Sequence, residues 1–170
     1  MWAMTELVLM RHGSAVDRGD PLCPADPDRP LTVRGASRSK VSARALRALG
    51  AAPQLILTSP YLRAVQTAQI VANELSLAKK RVKESAALLP GASPEALWEE
   101  LRNARRDVVL CVGHGPGLDA LLAAALGTPL RAMWLKKGGA AALELTLEGE
   151  EVRGQLQWLL PPRLLRSFAS

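Results

Sequence analysis

The stretch Leu7–Ala15, LVLMRHGSA, sets four apolar residues directly before an arginine and a histidine. Leu7–Met10 is too short for a helix and reads as a buried strand, with Gly13 as the turn signal behind it. In an open α/β sheet, ligands collect beyond the carboxyl ends of the strands. Arg11 and His12 therefore leave the sheet at the rim where ligands bind. The chain has only two histidines, and the second repeats the placement of the first. His114 lies in CVGHGPG, directly after the apolar run Val108–Val112 and again beside glycine. If those two strands are neighbours, the two imidazoles face one site.

Outward from these strands, apolar runs alternate with amphipathic helical spacing almost to the end of the chain. A loop rich in proline and aspartate, Asp17–Pro30, is expected to lie over the surface. Thr32 is the N-cap of a helix that presents Ala36, Ala43, Leu46 and Leu49 and stops at Gly50. LILT (Leu55–Thr58) is a second strand. The following SPYLRAVQTAQIVANEL is helical, with Val65, Ala68, Ala72 and Leu75 recurring at helical spacing. A weaker strand is expected at Arg81–Lys83. Ser93 caps a short helix with Pro94 in its first position and Leu97 and Leu101 on one face. The helix behind Val108–Val112 carries Leu118, Leu121, Leu122, Ala125 and Leu126. GGAAALELTL and QLQWLL read as a β-hairpin joined near Gly149. This alternation predicts a three-layer α/β/α sandwich around a mostly parallel central sheet, with antiparallel strand pairing near the C-terminus. No internal repeat or long linker divides the chain, so residues 1–170 are expected to form a single domain.

Composition narrows the partners. Apolar residues make up 48% of the chain, ordinary for a globular protein. Lys and Arg number 22 against 16 Asp and Glu, a net charge of +6 that favours an acidic or phosphorylated partner. Nucleic acid is not expected, because aromatic residues are only 4% and offer no base-stacking platform. The densest basic runs, Lys79–Arg81 and Lys136–Lys137, read as solvated surface. Two cysteines make no disulfide framework, and Cys111, inside an apolar run, reads as a core residue. No secretory signal is visible and no uncharged stretch reaches about 18 apolar residues, so no membrane association is expected. The cytoplasm is the default compartment.

A third element joins the histidines. Arg63 stands at the start of the helix after the second strand, on the same rim as Arg11. Both arginines offer forked donors to phosphate oxygens. Helix N-termini at that rim add unpaired N–H groups and a favourable dipole. Two histidines and two arginines without a carboxylate cluster do not suit a metal. They suit a phosphate. Other residues fit blander roles: Asp119 interacts with the dipole of its own helix as a cap, and Trp98, Trp134 and Trp158 pack in the core or an interface. Ser14 and Ser59 are close enough to the rim to touch phosphate, though serine is common at such turns. GHGPG lacks the glycine spacing of a dinucleotide loop.

RHG after the first strand, SPYLRAVQTA after the second and GHG after a later one resemble the histidine phosphatase superfamily. DRPLTVRG (Asp28–Gly35), KKGGAAALEL (Lys136–Leu145), WLLPP (Trp158–Pro162) and the short chain narrow the resemblance to its SixA-type phosphohistidine phosphatases. It covers nearly the whole chain. The resemblance implies that His12 is the nucleophile and becomes transiently phosphorylated. It implies that Arg11, Arg63 and His114 hold the equatorial oxygens during an in-line transfer, after which water discharges the intermediate. No metal or organic cofactor takes part. The implied substrate is a phosphohistidine-bearing protein, with phosphate as product.

One departure bears on substrate. Larger members of the superfamily carry a carboxylate near the middle of the chain as general acid. The matching stretch here is KESAALLPG, and the aligned position is Ala87, with Glu84 as the nearest substitute and more simply a surface residue. A missing acid handicaps esters, whose alkoxide leaving group needs a proton, more than a histidine leaving group, which solvent can protonate. Three other readings stay open: a small-molecule phosphomonoesterase using the same pocket, a non-catalytic phosphate-binding module, and, last, a nucleic-acid binder. An intact His12 argues against the binding module, since binding alone needs arginines and not a nucleophile. With so few histidines and no acidic group at ligand spacing, turnover is expected to survive a strong chelator. Activity lost to chelation and restored by one metal ion would contradict this.

Overall fold

The computed structural model describes residues 3–169. Four strands run parallel: β1 (Ala3–Arg11), β2 (Leu55–Thr58), β3 (Val82–Glu84) and β4 (Val108–Gly113). The hairpin β5 (Ala140–Glu148) and β6 (Glu151–Leu160) pairs antiparallel and attaches to β1. Together they form one sheet in the order β3-β2-β4-β1-β5-β6. β1 and β4 are therefore neighbours, in a register that sets Arg11 against Gly113.

Side-chain alternation divides the apolar runs between two cores. Leu7 and Leu9 face one side with Leu57, Val109, Cys111 and Leu143, under α3 (Pro94–Ala104) and α4 (Gly117–Leu126). Val8 and Met10 face the other with Ile56, Leu110 and Val112, under α1 (Val33–Ala48), α2 (Leu62–Glu74) and α5 (Pro162–Arg166). Burial on both faces is why the central strands read as unbroken apolar runs rather than as alternating ones. The three layers are those the sequence predicts. Cys111 is a core residue, and burial pushes its thiol pKa up, out of reach of neutral-pH chemistry.

Local signals place the ends of the helices. Thr32 Oγ1 accepts from the Gly35 amide at 2.9 Å, closing the first turn of α1. α1 packs so tightly on the segment after His12 that a Cβ at Gly35 would lie 2.0 Å from the Ser14 carbonyl oxygen. Ser14 O in turn accepts from the Thr32 amide at 3.0 Å, so the histidine-bearing turn and α1 are fixed to each other. α4 ends at Gly127, whose φ of 61° suits glycine.

Four details differ from the sequence reading. β3 begins one residue later than expected, at Val82. The buried face of α2 is Arg63, Ala64, Thr67, Ala68, Val71 and Ala72, with Val65 only half-buried, because the first turns of the helix point inward at the rim. The Asp17–Pro30 loop does not simply cover the surface. Its 3-10 turn at Asp26–Asp28 folds inward, and Arg29 is 7% exposed, donating to Val16 O at 2.7 and 3.0 Å. Trp98 is buried as expected, but Trp134 is 65% exposed, with the Lys136 ammonium 5.8 Å from its ring centre. Among the described residues, no helix is long and apolar enough to cross a membrane.

Gly35→Ala is expected to cost about 1–3 kcal/mol, since backbone must move to admit the methyl group. Gly117→Ala meets nothing within 4 Å and is expected to be neutral or stabilising by under about 1 kcal/mol. Urea melts of the two variants check the contrast.

Candidate active site

The β1–β4 register does the assembling. The His12 amide donates to Gly113 O at 3.1 Å, so the residues that follow the two strands stay level. The two imidazole centres lie 5.0 Å apart, and both residues are 5% exposed. Arg11, His12, Arg63 and His114 line one open cleft of ≈ 390 Å³, joined by Asp26, Tyr61 and Lys137. All four residues singled out from the sequence thus meet in one place.

Hydrogen bonds define the state of His12. Its Nδ1–H donates to its neighbour Gly13 O at 2.7 Å, which leaves the lone pair on Nε2. Arg63 Nε donates to that lone pair at 3.3 Å. Thr67, one turn beyond Arg63, accepts from the Gly13 amide at 3.2 Å and donates to Arg63 O at 2.7 Å. The turn that carries His12 is thereby pinned to the start of α2. His114 Nε2 bonds Ser59 Oγ at 2.8 Å, and Ser59 Oγ also accepts from the Tyr61 amide at 3.3 Å. His114 Nδ1 is buried and has no partner among the described residues.

The two imidazoles are held neutral. Burial pushes the His12 pKa down to about 3; its bond to Gly13 opposes the shift, and the charges of His114, Arg63 and Arg11 add to it. Burial, then the Arg63 charge, brings His114 down to about 4. Around neutral pH, His12 therefore offers an unprotonated nitrogen in the middle of a cationic cleft.

Each arginine is braced differently. Arg63 is 4% exposed and donates through Nη1 to Asp26 O at 2.6 Å and through Nη2 to Asp26 Oδ2 at 3.3 Å. Burial raises the Asp26 pKa, but hydrogen bonds from Arg29 and Arg18 and the charges of Arg63 and Arg18 outweigh it. Asp26 is held well below the usual carboxylate range, so it is a counter-charge and cannot supply a proton. Arg11 donates through Nη1 to Leu135 O at 2.9 Å, and its Nε is buried without a partner among the described residues. A Cβ at Gly115 would lie 2.9 Å from the Arg11 guanidinium carbon, so the bare glycine makes room for that group.

Several site residues escaped the sequence reading: Asp26, Arg29, Tyr61, Thr67 and Lys137. The DRPLTVRG stretch lay next to the Asp26 turn, but nothing in it signalled contact with Arg63 across 37 residues. Asp119 lies in the first turn of α4, where its charge suits the dipole, but it makes no capping bond; its Oδ1 accepts from the Leu135 amide at 2.9 Å. Glu84 is exposed and borders a separate cleft with Thr58, Val65 and Lys79. Ala87, the position aligned with the general acid, shares a small pocket with His114, where it presents a methyl group. Ser59 touches His114, while Ser14 serves α1 through its backbone oxygen. Among the described residues, no group of three or more His, Cys, Asp or Glu side chains comes together in a way that could hold a metal ion.

A neutral imidazole pair among guanidinium donors, at the carboxyl edge of a parallel sheet, defines an α/β enzyme that handles phosphoryl groups. Comparison with known proteins narrows this to a family. A sequence profile of the histidine phosphatase superfamily (branch 1) matches residues 7–88. An uncharacterized protein of Picosynechococcus sp. is 39% identical over 140 residues, covering 81% of this chain and 84% of that protein. The phosphohistidine phosphatase SixA of Escherichia coli is 29% identical over 165 residues, covering 92% of this chain and 94% of that protein. A solved structure of the protein histidine phosphatase SixA complexed with tungstate superposes with a TM-score of 0.80 at 27% identity, over 94% of this chain and 98% of that one. The chain belongs to the histidine phosphatase superfamily and is a phosphatase.

The sign of the pH dependence follows from the two histidines. An imidazole whose folded pKa lies below its unfolded value near 6.5 binds its proton more readily in the unfolded chain. Acidification from about pH 6.5 towards the folded values is therefore expected to lower stability, and the loss levels off below them. In an NMR titration, both imidazoles should keep neutral-form shifts down to about pH 5. An inflection near 6.5 for either one would contradict the electrostatics described.

Proposed function

We propose that this phosphatase removes phosphate from phosphohistidine in a protein, through a phosphohistidine formed on His12. The observation that carries the reading is the state of His12: Nδ1 tied to Gly13 O, Nε2 unprotonated, and the whole ring desolvated beside Arg63. In the first step, the Nε2 lone pair attacks phosphorus in line with the leaving nitrogen. The new bond is N–P to His12, and the old N–P bond breaks. The departing imidazole takes its proton from solvent. In the second step, water attacks the His12 phosphoramidate, releasing inorganic phosphate and restoring Nε2, with the surplus proton passing to solvent.

Arg11, Arg63 and His114 hold the equatorial oxygens and balance the charge that builds on them. For His114 to donate, the Ser59 hydroxyl donates a hydrogen bond to the Nε2 lone pair, which places the imidazole proton on Nδ1. The arginine fork on Asp26 has to share its donors with the incoming oxyanion. An oxyanion is chemically at home among such donors, and the similar SixA structure was solved complexed with tungstate.

The substrate assignment rests on what stands beside His114. Ala87 provides no acid beside His114, and Asp26 is ionised. Phosphohistidine needs no enzymatic acid, because solvent can protonate the imidazole as it leaves. The net charge of +6 favours an acidic protein partner and speeds its encounter. We take residues 1–170 as one catalytic domain acting in the cytoplasm without metal or organic cofactor.

Acid-labile phosphate trapped on the protein during turnover should vanish in His12→Ala, and activity with it. Near-normal turnover by that variant would sink the mechanism. kcat/KM for a phosphohistidine protein should exceed that for a simple alkyl phosphate by about a hundredfold or more, the scale of a lost general acid. Equal rates would favour a small-molecule phosphomonoesterase.

A further inference from the structure

Arg11 and Arg63 face the same cleft, but their charges are balanced in different ways. Arg63 meets its carboxylate directly, and two of its nitrogens are occupied by Asp26. Arg11 has no direct carboxylate partner among the described residues. Its Nη1 donates instead to a backbone oxygen, Leu135 O, at 2.9 Å. Leu135 is 1% exposed and lies on the segment between α4 and β5. That segment is tied to the catalytic turn at its far end, where the Gly138 amide donates to Arg11 O at 3.0 Å and His12 O at 3.1 Å. At its near end the tie is the side chain of Asp119, whose Oδ1 accepts from the Leu135 amide at 2.9 Å. Asp119 stands in the first turn of α4, one turn beyond the His114 segment, so it links the element that presents His114 to the acceptor that orients Arg11.

We propose that Asp119 is a positioning residue for Arg11, acting through the Leu135 backbone, and that it sets how tightly the cleft holds an oxyanion. A direct Asp–Arg pair would occupy the donors that the oxyanion needs. Placing the carboxylate one residue's backbone away keeps a negative charge near the guanidinium without taking its donors. Burial disfavours the Arg11 charge and the Asp119 charge opposes that effect, consistent with such a division. Nε of Arg11 stays uncommitted for the same reason. The inference rests on the reading of the cleft as an oxyanion site.

The test is tungstate binding by calorimetry to the wild type, Asp119→Ala, Asp119→Asn, Arg11→Ala and the Arg11→Ala/Asp119→Ala double variant. Circular dichroism and thermal melts establish that each is folded. Asp119→Ala is expected to weaken tungstate about tenfold, the consequence of a misplaced donor. Asp119→Asn keeps an oxygen acceptor for the Leu135 amide and is expected to stay within about threefold of wild type. In the Arg11→Ala background, Asp119→Ala should cause no further loss, because its effect runs through the missing guanidinium. Wild-type affinity in Asp119→Ala would overturn the proposal. So would an equal loss in both backgrounds, which marks a purely structural role. If Asp119→Ala does not fold, Asp119→Ser, whose shorter side chain withdraws the acceptor from the Leu135 amide, supplies the same cycle, with a loss of about tenfold expected only when Arg11 is present. A wild type that binds no tungstate would overturn the reading of the cleft, and this inference with it.

Discussion

The parallel pairing of β1 with β4 is the constraint on which the site depends. Because Arg11 registers with Gly113, the next residue on one strand and the next on the other leave the sheet at the same level. One backbone hydrogen bond, from the His12 amide to Gly113 O, carries that alignment past the end of the ladder. The two imidazoles then have no choice but to share a volume. A one-residue slip would exchange Leu7 and Leu9 with Val8 and Met10 between the two cores and carry His12 out of level with His114.

Charge around that pair is arranged to keep the nitrogen bare and the anion welcome. Desolvation lowers both imidazole pKa values, and the arginines lower them further. The same arginines would repel one another without counter-charges, so the fold supplies two carboxylates at different ranges. Asp26 meets Arg63 head-on, and Asp119 serves Arg11 through the backbone of Leu135. The cleft is cationic towards a ligand and still tolerable to the folded chain. Stability and function here pull on the same groups, as is usual where perturbed pKa values cluster.

Among the described residues, no carboxylate shares the small pocket of Ala87 and His114. In the proposed mechanism, a methyl group at Ala87 and an ionised Asp26 leave leaving-group protonation to solvent. An open cleft of ≈ 390 Å³ gives solvent that access, and it also gives a histidine on another protein room to enter. Both features point away from small alkyl esters and towards a leaving group that solvent can protonate.

Much of the fold and of the cleft was legible in the chain. Short apolar runs ending in RHG and GHG, with Arg63 behind the second strand, determined the layers, the rim and the four residues in the cleft. These signals are local: strand length, turn glycines and helix starts are properties of a few neighbouring residues. The Asp26 clamp, the Thr67 tether and the true partner of Asp119 were not legible, because each joins segments far apart in sequence through only one or two hydrogen bonds. The depressed histidine pKa values also had no local signal, since burial belongs to the packed molecule. Sequence by itself determined which groups would meet in the cleft. Only the tertiary structure decided how those groups are charged and held, because desolvation and long-range pairing exist only once the layers have closed.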